Sequence, residues 1–343
     1  MIINFKTIIY KMYLSVQQKV LLLQFVMTNE LLDYLTSEER EQLSHCTLCP
    51  RKCGADRLHD KKGFCNLGVS LSTALIINHK GEEPILSKDK GITNVFFSHC
   101  NCQCIFCQNY KISSNKTEPK NLYPTMEEVI DRIISVLSTS ENVLGFVSAT
   151  HQIPVMKAII RELHKRRCYP KIVYNCGGYE SVESLQELED WVDVYLPDWK
   201  YADNELAQRY SSAPGYNETV ISAVKEMYRQ KGSSILTDIN ENIESGLIIR
   251  HLVLPEQLEN SKKVLDEIAW EISSNITLSL MSQYNPPFVL PYSDLNRKIT
   301  QKEYNEVLDF ALESGFHKIF TQDLGSTDSV IPDFDNNTFV NNN

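Results

Sequence analysis

The chain has no run of about 18 apolar residues and no small-residue cleavage site near its start, so nothing marks a membrane span or an export signal. Lys6, Lys11 and Lys19 interrupt Ile2, Ile3, Ile8, Ile9 and the stretch Val20–Val26. An amphipathic helix, or a translation start at Met27, are the two readings of this leader. Clustered positive charge is also missing. There are 34 Lys and Arg against 44 Asp and Glu, a net charge of −10, and the basic residues are scattered. Nucleic acid and anionic membrane surfaces reward a basic patch, so neither is an expected partner. There is no internal repeat.

Cysteine, by contrast, is abundant. The chain has ten, and eight fall in tight groups between Cys46 and Cys107. Disulfide frameworks belong to small exported domains; close spacing without an export signal points to metal and to a reducing, cytoplasmic location.

At 343 residues, 42% hydrophobic and 23% charged, the chain suits a large α/β domain with an appendage. Residues 1–45 read as a helical leader and 46–90 as a Cys-, Gly- and Lys-rich segment with little periodicity. Residues 91–324 alternate apolar runs with helical patterns, and 325–343 form an Asn-rich tail expected to be disordered. The expected strands are Asn94–Phe97, Val143–Ser148, Lys171–Tyr174, Val192–Leu196, Leu247–Leu254 and Thr277–Met281, with a possible seventh at Lys318–Gln322. Helices are expected at Ile153–Arg167, Glu180–Trp191, Glu218–Gln230 and Glu256–Ile272. Two more should start at capping boxes, Thr125/Glu128 and Thr300/Glu303. The order βαβα predicts a parallel sheet with right-handed crossovers, as a partial six-stranded barrel or a doubly wound sheet. Either way the chemistry should gather at the strands' C-terminal ends.

Just after the first expected strand comes His99-Cys100-Asn101-Cys102-Gln103-Cys104-Ile105-Phe106-Cys107. Four cysteines in eight residues cannot all reach one metal comfortably, and the informative subset is Cys100-x3-Cys104-x2-Cys107. Three thiolates without a fourth suit a [4Fe–4S] cube with one iron open to an outside ligand. A zinc knuckle using Cys102, or plain buried thiols, are the alternatives.

The triplet, with Phe106 before its last Cys, resembles the signature of the radical S-adenosylmethionine (SAM) superfamily. Cys49-Pro50-Arg51-Lys52-Cys53, Gly81-Glu82-Glu83-Pro84, Leu196-Pro197-Asp198-Trp199-Lys200, Ile249–Pro255 and Leu280–Tyr284 narrow the resemblance. They are similar to homologues of pyruvate formate-lyase activating enzyme that carry an N-terminal Cys block. The resemblance implies a partial barrel in which the cluster, held by Cys100, Cys104 and Cys107, binds SAM at its open iron and cleaves it reductively. It also implies hydrogen abstraction from a glycine in a partner protein, and an electron donor such as flavodoxin or ferredoxin. Modification of another peptide or a small metabolite is the alternative substrate reading; a non-catalytic zinc-binding module or a two-cluster redox carrier are rivals of other classes.

Further site residues follow from the resemblance. Ser148, Ala149 and Thr150 stand where the superfamily often has Gly-Gly-Glu, leaving backbone carbonyls or Ser148 to meet the SAM amino group. Asn175 and Cys176 replace an Asp-Thr turn, which puts a cation site there in doubt. Asp198 and Lys200, two apart and on one face, match an Asp-x-Lys motif on the SAM side. Arg250 sits mid-strand, where a guanidinium needs a partner; a SAM carboxylate would serve, as would a salt bridge to the next strand. Gln283 and Tyr284 are expected at the same mouth. Finally, Cys46-x2-Cys49-x3-Cys53-x11-Cys65 is a four-thiolate set for a second Fe–S cluster or structural zinc.

Overall fold

In the computed structural model, which describes residues 30–324, 332–336, 338 and 339, the apolar runs become strands of one sheet. They are β1 Thr73–His79, β2 Ile92–Phe97, β3 Val143–Val147, β4 Lys171–Cys176, β5 Val194–Pro197, β6 Leu236–Thr237, β7 Ile243–Leu252, β8 Thr277–Met281 and β9 Ile319–Thr321. The order is β1-β2-β3-β4-β5-β7-β8-β9, with β6 at the side of β7. From β2 to β9 each neighbour along this path is parallel, while β1 runs antiparallel to β2. A doubly wound sheet reverses its order at a switch point; this one follows the sequence, as a partial barrel does. The possible seventh parallel strand is present as β9.

Among the described residues, the α-helices longer than four residues are α1 Ser37–Ser44, α2 Met126–Leu137, α3 Ile153–Lys165, α4 Val182–Gln186, α5 Asn204–Ser211, α6 Tyr216–Lys231, α7 Leu258–Glu267 and α8 Gln301–Glu313. Both expected capping boxes form, and a third, Thr36/Glu39, opens α1. Glu39 also accepts two 2.7 Å bonds from Arg161, which ties α1 to α3. The helix expected over 180–191 is shorter, and the one over 256–272 passes from α7 into a π-helical turn at Ile268–Ser273.

Two expectations need correction. The region 46–90 is not all Cys-rich segment, because β1 joins the sheet at Thr73. The tail is not wholly irregular either: Pro332–Asp333 pairs with Thr338–Phe339, and Phe334 is buried edge-on to Phe96 at 5.6 Å. The rest of the expected tail, and residues 1–29 of the leader, lie outside the described residues.

Alternation along the strands sorts the barrel interior into layers. Ile92, Val143, Val173, Val194, Leu196 and Ile248 form an apolar floor, closed by Leu86 from the turn after β1. Two residues beyond members of that floor come Asn94, Asn175, Asp198 and Arg250, which make a polar layer above it. Gly145 belongs to this level because a Cβ there would stand 2.0 Å from Asn94 Oδ1.

Candidate active site

The strand ends deliver the chemistry. After β2 the chain takes a left-handed step at His99 (φ 66°) and winds into the Cys100–Cys107 loop. Asn115 Oδ1 accepts from Cys100 N at 3.1 Å, while Gln103 N and Ile105 N donate to Ser211 O and Tyr210 O at the end of α5. One cavity is lined by Cys100, Cys104, Phe106, Cys107, Ser148, Asn175, Asp198, Lys200 and Arg250, whereas Tyr284, expected at the same mouth, is buried beside it with its hydroxyl donating to Leu295 O. Cys102 and Gln283 border it as well.

The three sulfurs of the triplet each receive a donor. Ser211 Oγ lies 2.9 Å from Cys104 Sγ, Ser113 Oγ 3.3 Å from Cys107 Sγ, and Cys102 N 3.4 Å from Cys100 Sγ. Such donors favour thiolates. Burial works against them, pushing Cys100 up to about 12 and Cys107 to about 11, with Cys104 also raised. A metal that takes up the thiolate charge would resolve that conflict. Phe106 packs edge-on to Tyr284 at 5.7 Å, and Gln108 Nε2 donates to Gln283 O at 2.8 Å, holding the loop against the β8 side.

Opposite lies an ionic network. Arg250 Nε donates to Asp198 Oδ1 at 2.7 Å and its Nη2 to Asn175 Oδ1 at 3.0 Å, while Lys200 pairs with the other Asp198 oxygen. Burial would raise Asp198, but Arg250 and Lys200 hold it below the usual carboxylate range. Arg250 thus already has a partner on the neighbouring strand, the alternative weighed against a SAM carboxylate. Ser148 is left-handed (φ 57°), and its N–H donates to Asn175 O at 2.8 Å.

Sequence reasoning missed Glu82, which was part of a recognised segment without a role. Its carboxylate accepts from Asn94 at 2.9 Å and stands 3.6 Å from Arg250 and 3.7 Å from His79. Two adjacent carboxylates before Pro84, in a segment with an apolar Ile85-Leu86, were the available signal. Glu180 was also missed. It accepts from Thr150 Oγ1 at 2.7 Å and Tyr174 OH at 2.9 Å, and burial pushes its carboxyl up to about 7.

The N-terminal cysteines sit in a separate loop. Cys46 N donates to Ala55 O and Gly54 N returns to Cys46 O, each at 3.0 Å, while Gly63 passes so close that a Cβ would lie 2.4 Å from Cys53 Sγ. Cys46 and Cys65 are buried and Cys53 is exposed. The loop is clamped to the barrel by Arg57, which donates to His151 O at 2.6 Å and Gly68 O at 3.0 Å. Arg51 adds a bond to Asn101 O at 2.8 Å. His99 Nδ1 lies 2.7 Å from Cys65 O, linking this loop to the residue before Cys100. Among the described residues, no three His, Cys, Asp or Glu side chains stand close enough together to hold a single metal ion.

No family model matches the chain. The uncharacterized protein MJ0674 of Methanocaldococcus jannaschii is 29% identical over 294 residues, covering 84% of this chain and 80% of that protein. Among solved structures, a domain of pyruvate-formate lyase-activating enzyme from Bacteroides vulgatus is 16% identical, with a TM-score of 0.35 over 50% of this chain and 93% of its own. Streptococcus suis SuiB bound to S-adenosylmethionine is 11% identical, with a TM-score of 0.46 over 66% of this chain; the match spans 48% of SuiB. The FeFe-hydrogenase maturase HydG from Carboxydothermus hydrogenoformans is 13% identical, with a TM-score of 0.43 over 87% of this chain and 68% of its own. These overlays are loose, and the fold assignment rests on the strand order itself. Among the described residues no helix is long and apolar enough to cross a membrane.

Proposed function

We propose that this chain is a radical SAM enzyme, with a [4Fe–4S] cluster held by Cys100, Cys104 and Cys107. The observation that carries the reading is convergence: the three thiols and the Asp198–Lys200–Arg250 network line one cavity at the C-terminal ends of the strands. A cube takes each thiolate at its own iron, so three thiols on one loop can serve it while leaving a fourth iron open. When bound, the cluster would supply the electron that breaks the SAM sulfonium, giving methionine and a 5′-deoxyadenosyl radical that abstracts hydrogen.

The chain's own residues would orient and shield. Ser211 and Ser113 hold charge on two sulfurs, and Phe106 with Tyr284 keeps water from one side of the loop. Lys200 and Arg250 present positive charge, and Asp198 with Asn175 presents acceptors, towards the ionic end of the methionine moiety. The substrate in this proposal is a glycine of a partner protein, with another peptide or a small metabolite as the second reading. A cytoplasmic flavodoxin or ferredoxin would supply electrons. The Cys46–Cys65 block would hold a second Fe–S cluster or zinc, which would order a loop with little core of its own.

Protein purified and reconstituted without oxygen, reduced chemically and given SAM, should release 5′-deoxyadenosine. Adding a candidate glycyl-radical protein should then give a glycyl signal in electron paramagnetic resonance. Failure to find iron at the triplet after reconstitution would overturn the catalytic reading; cleavage without a glycyl signal would overturn only the substrate.

A further inference from the structure

The Cys46–Cys65 loop departs from the charge of the rest of the chain. Between those two residues stand five Lys or Arg against two Asp, although the whole chain carries a net charge of −10. Lys52, Lys61 and Lys62 are exposed. Lys52 pairs with Glu183 at 3.3 Å and Lys61 stands 3.9 Å from Asp56. Lys62 has no ion pair among the described residues, and neither has the exposed Lys116, which follows Asn115.

An aromatic ring sits among these charges. Phe64 is 36% exposed, and the Arg51 guanidinium lies 3.3 Å from its ring centroid. Cys53, also exposed, is beside it, since Gly63 passes against Cys53 Sγ. Asn115 connects this face to the cysteine triplet. Its Nδ2 donates to Phe64 O at 2.8 Å and to Cys100 O at 2.9 Å, while its Oδ1 accepts from Cys100 N at 3.1 Å. One side chain therefore separates a solvent-exposed ring from the first cysteine of the triplet.

We infer that this face is the docking surface for an acidic one-electron carrier protein. Lys62 and Lys116 would steer the carrier, and Phe64 with Arg51 would supply the central contact, the residue types enriched in such interfaces. A patch of this size suits electron-transfer encounters, which bury little area. One electron would leave the carrier's reduced centre, which is thereby oxidised, and pass by Phe64 and Asn115 to the group held at Cys100. The inference rests on the radical SAM reading for its purpose; the docking itself needs no SAM cleavage.

Calorimetric titration of the reconstituted full-length protein tests it, with an acidic flavodoxin and an acidic plant-type ferredoxin, both oxidised, as probes. At least one should bind at low salt, with an affinity that falls as salt rises. Lys62→Glu combined with Lys116→Glu should weaken that binding roughly tenfold or more. Lys302→Glu combined with Lys318→Glu makes the same change in net charge away from the patch and should leave it unaltered. Thermal melting checks that both double variants are folded. Equal weakening by the two pairs would reduce the effect to overall charge and overturn the inference. So would binding of neither carrier, or single-stranded DNA binding as tightly at the same ionic strength. A protein that binds a carrier yet never forms 5′-deoxyadenosine would sink the catalytic reading alone. Chemically driven cleavage without carrier binding would sink only the docking surface.

Discussion

The two cysteine groups rest on different foundations. Cys100, Cys104 and Cys107 follow a buried strand, face a shared cavity and are stabilised by hydroxyl and amide donors. The Cys46–Cys65 loop lies outside the strand ends, reaches solvent at Cys53 and is fastened by arginines that bond backbone carbonyls. A site built on a sheet inherits the sheet's rigidity, whereas a loop with few apolar residues depends on its clamps and on whatever its thiols bind. The first arrangement suits chemistry and the second suits a structural or relay role.

The sharpest test of that contrast is to remove one cysteine from each group. Cys104→Ala should abolish 5′-deoxyadenosine release and cluster absorbance at the triplet, while Cys102→Ala should retain both. Cys46→Ala should remove the metal proposed for the loop, read by elemental analysis, yet keep measurable SAM cleavage. If Cys46→Ala were as inactive as Cys104→Ala with its triplet cluster intact, the loop would belong to the catalytic path.

A smaller effect is expected from the arginines on either side. Arg250→Ala breaks a buried pair and leaves Asp198 with Lys200 alone, which should lower stability by about 3 kcal/mol or more in urea titrations. It should also weaken SAM binding more than it changes the cluster spectrum; the opposite pattern would make Arg250 purely structural. Arg57→Ala removes bonds to His151 O and Gly68 O from the loop clamp. Its loss should appear first as faster proteolysis around residues 46–65, with the barrel's global unfolding midpoint moving less. A concerted loss of both would show that loop and barrel unfold as one unit.

Much of this contrast could be read in the chain. The parallel strands declared themselves because both faces are buried, and the boxes at Thr125 and Thr300 marked two helix starts. Nine of the barrel residues singled out line one cavity, Asn175, Asp198 and Arg250 because period-two alternation carries them to the same level, while Tyr284 turns away to Leu295 O. What escaped notice depends on long-range packing. Strand β1 hid within a segment whose cysteines and charges dominated its apparent character, although Thr73–Ile77 is apolar enough to pair with β2. Glu82 and Glu83 gain significance only once the turn after β1 is seen to enter the barrel. Thr150, Tyr174 and Glu180 are separated in sequence and polar for unremarkable local reasons, so only the fold reveals their network.

That network gives the smallest and most specific test. The Glu180 carboxyl accepts two bonds that favour its ionised form, but burial outweighs them and its pKa rises from 4.5 to about 7. Between those values the folded protein keeps a proton that the unfolded chain has released, so stability falls as pH rises through this window and levels off above it. Below about 4.5 both states are protonated and the penalty vanishes. Glu180→Gln, which cannot ionise, should remove this part of the slope. The difference between wild-type and variant unfolding free energies, measured from pH 5 to pH 8, isolates it from Glu83, which is raised in the same direction. A wild-type stability that rises relative to the variant across that range would mean the hydrogen bonds from Thr150 and Tyr174 outweigh burial, and that Glu180 is held as a carboxylate behind the strand ends.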